Sequence, residues 1–518
     1  MEYEKDNMPI TCGLVLISDP VSDECVKLLR SYGISVTTKY KLSKEELIKE
    51  LQNHDSLIVR SETKVTSEVF DRCPSLRVVF RAGTGVDNID LEAATRKGVL
   101  VVNSPSGNSI SACELTCALI SALTRNVVQA AQSLKEGRWD RKLYSGYELF
   151  GKTLAVLGMG RIGREVARRM QAFGMTVVAF DPVLTYELAH QLDIQKLSLD
   201  EIWPIADYIT VHTPLIPQTR NLINSTTLAK CKAGVRIVNV ARGGIVDEEA
   251  LLNALKSGQC GGAALDVFIE EPPKNPVTLE LIAHPKVIAT PHLGASTAEA
   301  QTRVAVEIAQ QCLVLAGKTK KYALTGIVNA PLVGAMVSDE NKSWIGLAQK
   351  LGELAAQFLK GKLNVNIQCE TVGNASMKEK TFLQSAVLCG ILAQTKNDVN
   401  PISVSALARE KGIDVKGSYV FADEEAVVVQ IKGHRIKGTI RNNEPLLLSV
   451  DDTVFSNGIT LNNYISLYET QNMQNIVQIM TTFFTKGIKI RNLNANGNWM
   501  VVQTDGDVCA QVNGIEAS

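Results

Sequence analysis

The chain has 518 residues, more than one hydrophobic core ordinarily supports, so about three or four domains are expected. Lys+Arg and Asp+Glu both number 54, so no net field would hold the protein on nucleic acid or an anionic membrane, and an anionic ligand must be met locally. No window offers the ~18 to 20 uninterrupted apolar residues of a membrane span. The start "MEYEKDNMPI" has neither the basic residues nor the apolar core of a signal peptide, so a soluble, cytoplasmic protein is expected.

From residue 11 to about 105, short apolar runs such as "TCGLVLIS", "SLIVRS", "LRVVFRAG" and "VLVVNS" alternate with amphipathic stretches such as "KEELIKELQNH". β-Branched runs separated by helical periodicity and by Gly, Pro or Asp predict a doubly wound parallel sheet. A long helical segment is predicted over 109–136. The alternation restarts at "GKTLAVLGMGRIGREVARRMQAFGMTVVAFDP" and continues through "YITVHTPL", "VRIVNVARGG", "AALDVF" and "KVIATPH", which predicts a second sheet of the same α/β class. The helix in "STAEAQTRVAVEIAQQCLVLAG" is a candidate for returning to the first domain, making that domain discontinuous. The expected division is 1–106 with 292–318, then 107–291, then an α+β domain over 319–452, and a terminal module over 453–518 that reads strand, helix, strand, strand.

Eleven cysteines, an odd number without any CxxC, fit a reducing compartment. Cys113 and Cys117 lie one turn apart in an apolar helical stretch and read as core thiols, and no metal cluster emerges.

"VLGMGRIGREVA" places Gly158, Gly160 and Gly163 in GxGxxG spacing between a predicted strand and a predicted helix, and "TVVAFD" ends in Asp181. That context is the dinucleotide-binding fingerprint: Gly158 for the tight turn, Gly160 for approach of the backbone to a pyrophosphate, Gly163 for close packing of helix on strand. The helix start favours phosphate charge. A carboxylate at Asp181 accepts hydrogen bonds from a ribose diol and repels a 2′-phosphate, so NAD is the expected cofactor rather than NADP.

Three later segments put polar residues at carboxyl ends of predicted buried strands, where such sheets bind ligands: "VNVARGG" with Arg242, "ALDVFIEEPP" with Asp266 and Glu271, and "IATPHLGAS" with His292. Taken in order, the fingerprint with Asp181, "VHTPL", "NVARGGIVDE", "ALDVFIEEP" and "PHLGAS" resemble the D-2-hydroxyacid dehydrogenase family over roughly residues 11 to 316. "RSETKV", "RAGTGVDNID" and "NSPSGNSISACELT" are similar to the substrate side of its phosphoglycerate-oxidising, long-form branch. "LTGIVNAPLVGA" with "WIGLAQKLGELA" is similar to the intervening domain of that branch.

The resemblance implies a flavodoxin-like substrate domain beside a Rossmann NAD domain. It also implies a catalytic trio in which Arg242 holds the substrate, His292 exchanges the hydroxyl proton and Glu271 orients His292. It implies cofactor contacts from Thr84, Arg161, Ile162, Thr213, Pro214, Val240, Ala241, Arg242, Asp266, His292, Gly294 and Ala295 beside the fingerprint. Arg60, Arg81 and Asn108 would lie on the substrate side with Arg242 and His292, while Arg141 reaches a neighbouring subunit's site. His212 reads as structural and Glu270 as a solvated neighbour. The expected reaction is NAD-dependent oxidation of 3-phospho-D-glycerate, the entry to serine synthesis, by a homotetramer with dimers formed through the NAD domain. Several arginines suit a phosphorylated acid better than the unphosphorylated hydroxypyruvate or glyoxylate that reductases on the same scaffold take. A dinucleotide-sensing corepressor is the other alternative, and no basic nucleic-acid face supports it. The terminal module resembles a divergent ACT fold, since after "NWMVVQTDG" only "DVCAQVNGIEAS" follows; serine feedback is expected to be absent or weak.

Overall fold

A computed structural model describes residues 12–336, 338–359, 364–393, 399–462, 464–470 and 473–505. It divides into two compact units, Met1–Pro20 with Val26–Asn103 and Ile308–Ser518, and Val21–Cys25 with Ser104–Glu307. The expected breaks at 106/107 and 291/292 fall instead after Asn103 and inside the helix Ala298–Leu315.

In the first unit, β1 (Leu14–Ile17), β2 (Ser35–Thr38), β3 (Ser56–Val59), β4 (Val78–Arg81) and β5 (Leu100–Asn103) form a parallel sheet in the order β2-β1-β3-β4-β5. This is the flavodoxin-like winding. Every residue of the central β3 is buried, as expected where helices cover both faces. The outer edge of β5 is completed by residues far along the chain. The Asn103 N–H donates to Gly326 O at 2.8 Å, the Val328 N–H to Val101 O at 2.9 Å, and the Val101 N–H to Asn329 Oδ1 at 2.9 Å.

In the second unit, β6 (Thr153–Leu157), β7 (Thr176–Phe180), β8 (Gln195–Lys196), β9 (Tyr208–Val211), β10 (Val235–Asn239), β11 (Cys260–Leu265) and β12 (Val287–Ala289) form a second all-parallel sheet, ordered β12-β11-β10-β9-β6-β7-β8. Strand order reverses between β6 and β9, which opens a crevice at their carboxyl ends. The helical segment predicted over 109–136 is two helices, Ser109–Thr124 and Val127–Lys135. Asn126 interrupts it with φ 52°, a left-handed conformation that asparagine tolerates.

The remainder of the first unit holds β13 (Val365–Gly373), β14 (Ile413–Phe421), β15 (Ala426–Ile431), β16 (His434–Arg441), β17 (Glu444–Val450) and β18 (Thr453–Thr460) in one mixed sheet. β13 and β14 run parallel and the other pairs antiparallel. A smaller antiparallel sheet of β19 (Tyr464–Glu469), β20 (Ile490–Asn496) and β21 (Trp499–Thr504) carries the helix Met473–Thr485 through Ile479 and Phe483. The terminal module therefore does not begin at 453. Thr453 pairs with Val450 across a tight turn at Asp451, φ 49°, so β18 closes the larger sheet. The segment 507–518 lies outside the described residues.

Among the described residues no helix is long and apolar enough to cross a membrane, and no group of three His, Cys, Asp or Glu side chains is placed to hold a metal. The described cysteines are all free, and all but Cys117 are buried. Burial pushes Cys25, Cys231, Cys369 and Cys389 up to about 12, far from reactive thiolates.

Candidate active site

The fingerprint turn leaves the carboxyl end of β6 and opens the helix Arg161–Ala172. Gly158 has φ +101°, and a Cβ there would come within 2.5 Å of His212 O; a Cβ on Gly163 would come within 2.0 Å of Gly158 O. Neither position admits a side chain. Gly160, the N-cap, has open space where its Cβ would be, as backbone approached by a ligand requires. Asp181, just past β7, accepts from the N–H of Met159 at 2.7 Å and of Val183 at 2.8 Å, so its carboxylate is fixed beside the turn. Arg161 is exposed beside the turn and donates to Pro105 O at 3.3 Å, and Ile162 packs on the core beneath.

After β9, His212 is held by its N–H to Leu157 O at 2.7 Å and by its Nε2 against Thr210 Oγ1 at 3.0 Å. Burial pushes its imidazole down to about 4, so the ring is neutral near pH 7, and among the described residues it has no acid partner. Next to it, Thr213 Oγ1 is buried without a hydrogen-bond partner among the described residues, and Pro214 follows exposed.

After β10, Asn239 builds a short turn: its Oδ1 accepts from the Ala241 N–H at 3.0 Å and its Nδ2 donates to Arg242 O at 2.9 Å. Arg242 Nη1 donates to Ala241 O at 2.6 Å, and Val240 is buried under the turn. After β11, Asp266 is fully buried. Its Oδ1 accepts from Thr290 Oγ1 at 2.6 Å and the Leu293 N–H at 2.7 Å, its Oδ2 from the Gly294 N–H at 2.8 Å, and its carbonyl from the His292 N–H at 2.9 Å. Asp266 thus clamps the loop after β12 from beneath, and that clamp holds His292 at φ 55°, a conformation that a non-glycine residue adopts only where its surroundings over-determine it.

On this loop His292 Nδ1 meets Glu271 Oε2 at 2.6 Å, and Glu271 Oε1 accepts from the Phe268 N–H at 3.1 Å. The hydrogen bond to Glu271 raises the His292 pKa above the ordinary imidazole value, against a smaller opposing effect of burial. Burial pushes the Glu271 carboxyl up, but the bonds from His292 and Phe268 and the charges of His292 and Arg242 outweigh it and hold the group below the usual range. The side chain of His292 is half exposed, so the pair is open to a ligand.

In the first unit, Arg60 directly follows β3 and Arg81 ends the neighbouring β4. The turn after β3 is built by two residues that stand out little in the sequence. Buried Asp19 accepts from the N–H of Arg60 at 2.6 Å and of Thr63 at 3.2 Å, and Asn88 Nδ2 donates to the carbonyls of Arg60 and Thr63, both at 2.7 Å. Arg60 Nε is buried without a hydrogen-bond partner among the described residues. Gly83, at φ +148°, leaves room for the Arg81 guanidinium to fold back, its Nη1 donating to Ala82 O at 3.3 Å. The Thr84 carbonyl accepts from Asn103 Nδ2 at 2.6 Å. In the second unit Asn108 is the N-cap of Ser109–Thr124, and Arg141 is exposed.

The orphaned Thr213 hydroxyl, the open space at Gly160 and the fixed Asp181 carboxylate fit a bound NAD. Residues 117–294 match the D-isomer specific 2-hydroxyacid dehydrogenase NAD binding domain, so fold and site define a NAD-dependent oxidoreductase of the 2-hydroxyacid class. Residues 340–450 match the D-3-phosphoglycerate dehydrogenase intervening domain. The chain is 50% identical over 452 residues to the D-3-phosphoglycerate dehydrogenase of Rattus norvegicus, covering 85% of this chain and 84% of that one. It is 43% identical over 435 residues to that of Bacillus subtilis, covering 82% and 80%. A solved D-lactate dehydrogenase from Aquifex aeolicus complexed with NAD and lactic acid superposes with a TM-score of 0.53 at 29% identity, covering 59% of this chain and 96% of that one. The chain belongs to the D-3-phosphoglycerate dehydrogenase family.

Proposed function

We propose that the protein oxidises 3-phospho-D-glycerate to 3-phosphohydroxypyruvate, the first step of phosphorylated serine synthesis, in the cytoplasm. The observation that carries this is the Glu271–His292 pair beside the Arg242 turn, on the carboxyl edge of a sheet that also carries the NAD fingerprint. NAD, when bound, would supply the acceptor for the substrate hydride, and the backbone at Gly160 and the Asp181 carboxylate would hold it. Because His292 directs Nδ1 at the Glu271 carboxylate, the neutral tautomer presents a lone pair on Nε2, and Nε2 takes the hydroxyl proton. Glu271 stabilises the imidazolium so formed and fixes the plane of the ring. Arg242 binds the substrate carboxylate and polarises the developing carbonyl through planar paired hydrogen bonds. Arg60, Arg81 and Asn108 receive the phosphate end, with Arg141 supplied by a neighbouring subunit. Thr84, Ile162, Pro214, Val240, Ala241 and Ala295 line the cofactor, and Asp266 and Gly294 support it through the loop.

The assembly inferred is a homotetramer whose dimers form through the NAD-binding domain, an inference supported by exposed Val127, Leu134, Trp139, Leu143 and Phe150. The test is NADH absorbance with 3-phosphoglycerate against D-glycerate, with the ketoacid reduction run in parallel. Turnover confined to the phosphorylated pair supports the reading; preference for D-glycerate would sink the phosphate assignment and leave the dehydrogenase standing.

A further inference from the structure

A cavity of about 660 Å³ opens at the amino-terminal edge of the seven-stranded sheet, the edge opposite the fingerprint turn. Lys152 stands just before β6, Asp207 just before β9 and Lys286 just before β12, while Arg236 is the second residue of β10. With Lys232 this makes four cations and one carboxylate in the wall.

The carboxylate is already committed. Asp207 Oδ1 pairs with Lys232 Nζ at 3.0 Å, and its Oδ2 accepts from the Thr153 N–H at 2.8 Å. Lys152, Arg236 and Lys286 have no carboxylate within ion-pair distance among the described residues. Arg236 is also held in place, its guanidinium 4.4 Å from the Tyr147 ring centroid and 5.4 Å from that of Tyr208. Its Nη1 reaches Gly234 O at 3.5 Å, and stacking of this kind fixes the fork without using up its remaining donors. Gln129, in the same wall, has a buried Oε1 to which no described residue donates.

Like charges gathered around one hollow repel, and a chain of zero net charge has ample acid elsewhere with which to neutralise them. The volume lies within the ~300–1,000 Å³ of small-molecule sites. We propose that this cavity binds a small metabolite carrying at least two anionic groups and a hydroxyl, a phosphate ester or a hydroxylated polycarboxylate. Arg236 takes one anionic group through its planar fork, Lys152 and Lys286 neutralise the rest, and Gln129 Oε1 accepts from the hydroxyl.

The experiment is calorimetric titration of the full chain with inorganic phosphate and with citrate, against sodium chloride at matched ionic strength. The Lys152→Gln/Lys286→Gln double variant, the corresponding double arginine variant and Arg60→Gln are run alongside. A saturable site besides the phosphate subsite of the active site is expected in each chain, weakened at least tenfold in the double glutamine variant and retained in the arginine variant and in Arg60→Gln. Binding of phosphate alone assigns a phosphate ester, and of citrate alone a polycarboxylate. The proposal is overturned if neither anion binds beyond the chloride control, if the glutamine variant binds unchanged, or if Arg60→Gln abolishes binding. A changed oligomer size in the glutamine variant without anion binding also overturns it, pointing instead to an acidic segment of a second copy.

Discussion

The loops after β9 and β12 each present a histidine beside a proline-containing turn on one edge of one sheet, and they treat the ring in opposite ways. The His212 ring meets the Thr210 hydroxyl, burial dominates, and its pKa drops to about 4. His292 has a carboxylate at 2.6 Å, and that hydrogen bond outweighs burial to raise the pKa. A ring that is neutral throughout the physiological range cannot store the proton taken from a substrate, whereas one poised above its ordinary value can. A threonine, a proline and a leucine lie within three residues of each histidine; the supply of an acid from another loop is what separates the two rings.

The comparison breaks most visibly at His292. His292→Ala is expected to lower kcat by about 10³-fold, within the range of general acid–base catalysis, with thermal stability near wild type, measured by NADH absorbance and calorimetry. An activity within tenfold of wild type would remove His292 from the mechanism.

For His212 the expected effect is on stability. Its folded pKa lies below the unfolded one, so the unfolded state binds the extra proton, and stability is lost as pH falls from about 6.5 toward about 4. Linkage puts the loss at about 2 kcal/mol at pH 5. Denaturant titrations of His212→Asn should show a flatter pH dependence across that window; an unchanged slope would assign the acid sensitivity elsewhere.

Glu271→Gln should turn His292 partway into a second His212. Its raised pKa then falls, so the acid limb of kcat/KM in the oxidation direction moves to lower pH, and kcat drops about tenfold, a fraction of the general-base contribution. A limb that stays in place would show that His292 is not the titrating base. The stability of the pair follows its own signs. Glu271, held low, contributes above its unfolded pKa and loses that as pH falls through the folded value; His292, held high, contributes below its unfolded pKa and loses that as pH rises through the folded value.

The smallest effect is expected beside His212. Thr213→Val removes a hydroxyl that has no hydrogen-bond partner among the described residues, so folding stability should hold while NADH binding weakens about fivefold, the worth of one hydrogen bond of ~1 kcal/mol. Fluorescence titration of NADH against thermal unfolding separates the two.

Much of the fold was legible because its signals are local. Runs such as "SLIVRS" and "TLAVLG" need only period and composition to be read as buried parallel strands, and the fingerprint needs only its glycines between strand and helix. The break at Asn126 was not legible, since a left-handed asparagine within an apolar helical pattern leaves no mark in the periodicity. The assignment of Thr453–Thr460 to the terminal module failed for a related reason: strand character says nothing about which sheet a strand joins, and a turn at Asp451 decided it. In the site, Arg242, Glu271 and His292 stand in long motifs that mark them. Asp19, Asn88 and Asn239 act through backbone groups of turns whose shape the sequence does not disclose, nor does it disclose that the Asp266 side chain holds a loop 24 to 28 residues further on.

The hydrogen bonds on the outer edge of β5 set a timetable for synthesis on the ribosome. Val101 and Asn329 are separated by 228 residues, so the partners that close this edge emerge long after the strand itself. At ~5 to 20 residues per second the delay is roughly 10 to 45 s. Throughout that interval the nascent first sheet has an open strand edge of the kind that recruits other chains, and the helices and strands of Ser104–Glu307 are being made meanwhile. Chaperone dependence during translation, more than refolding of the finished chain, is where this topology should be felt.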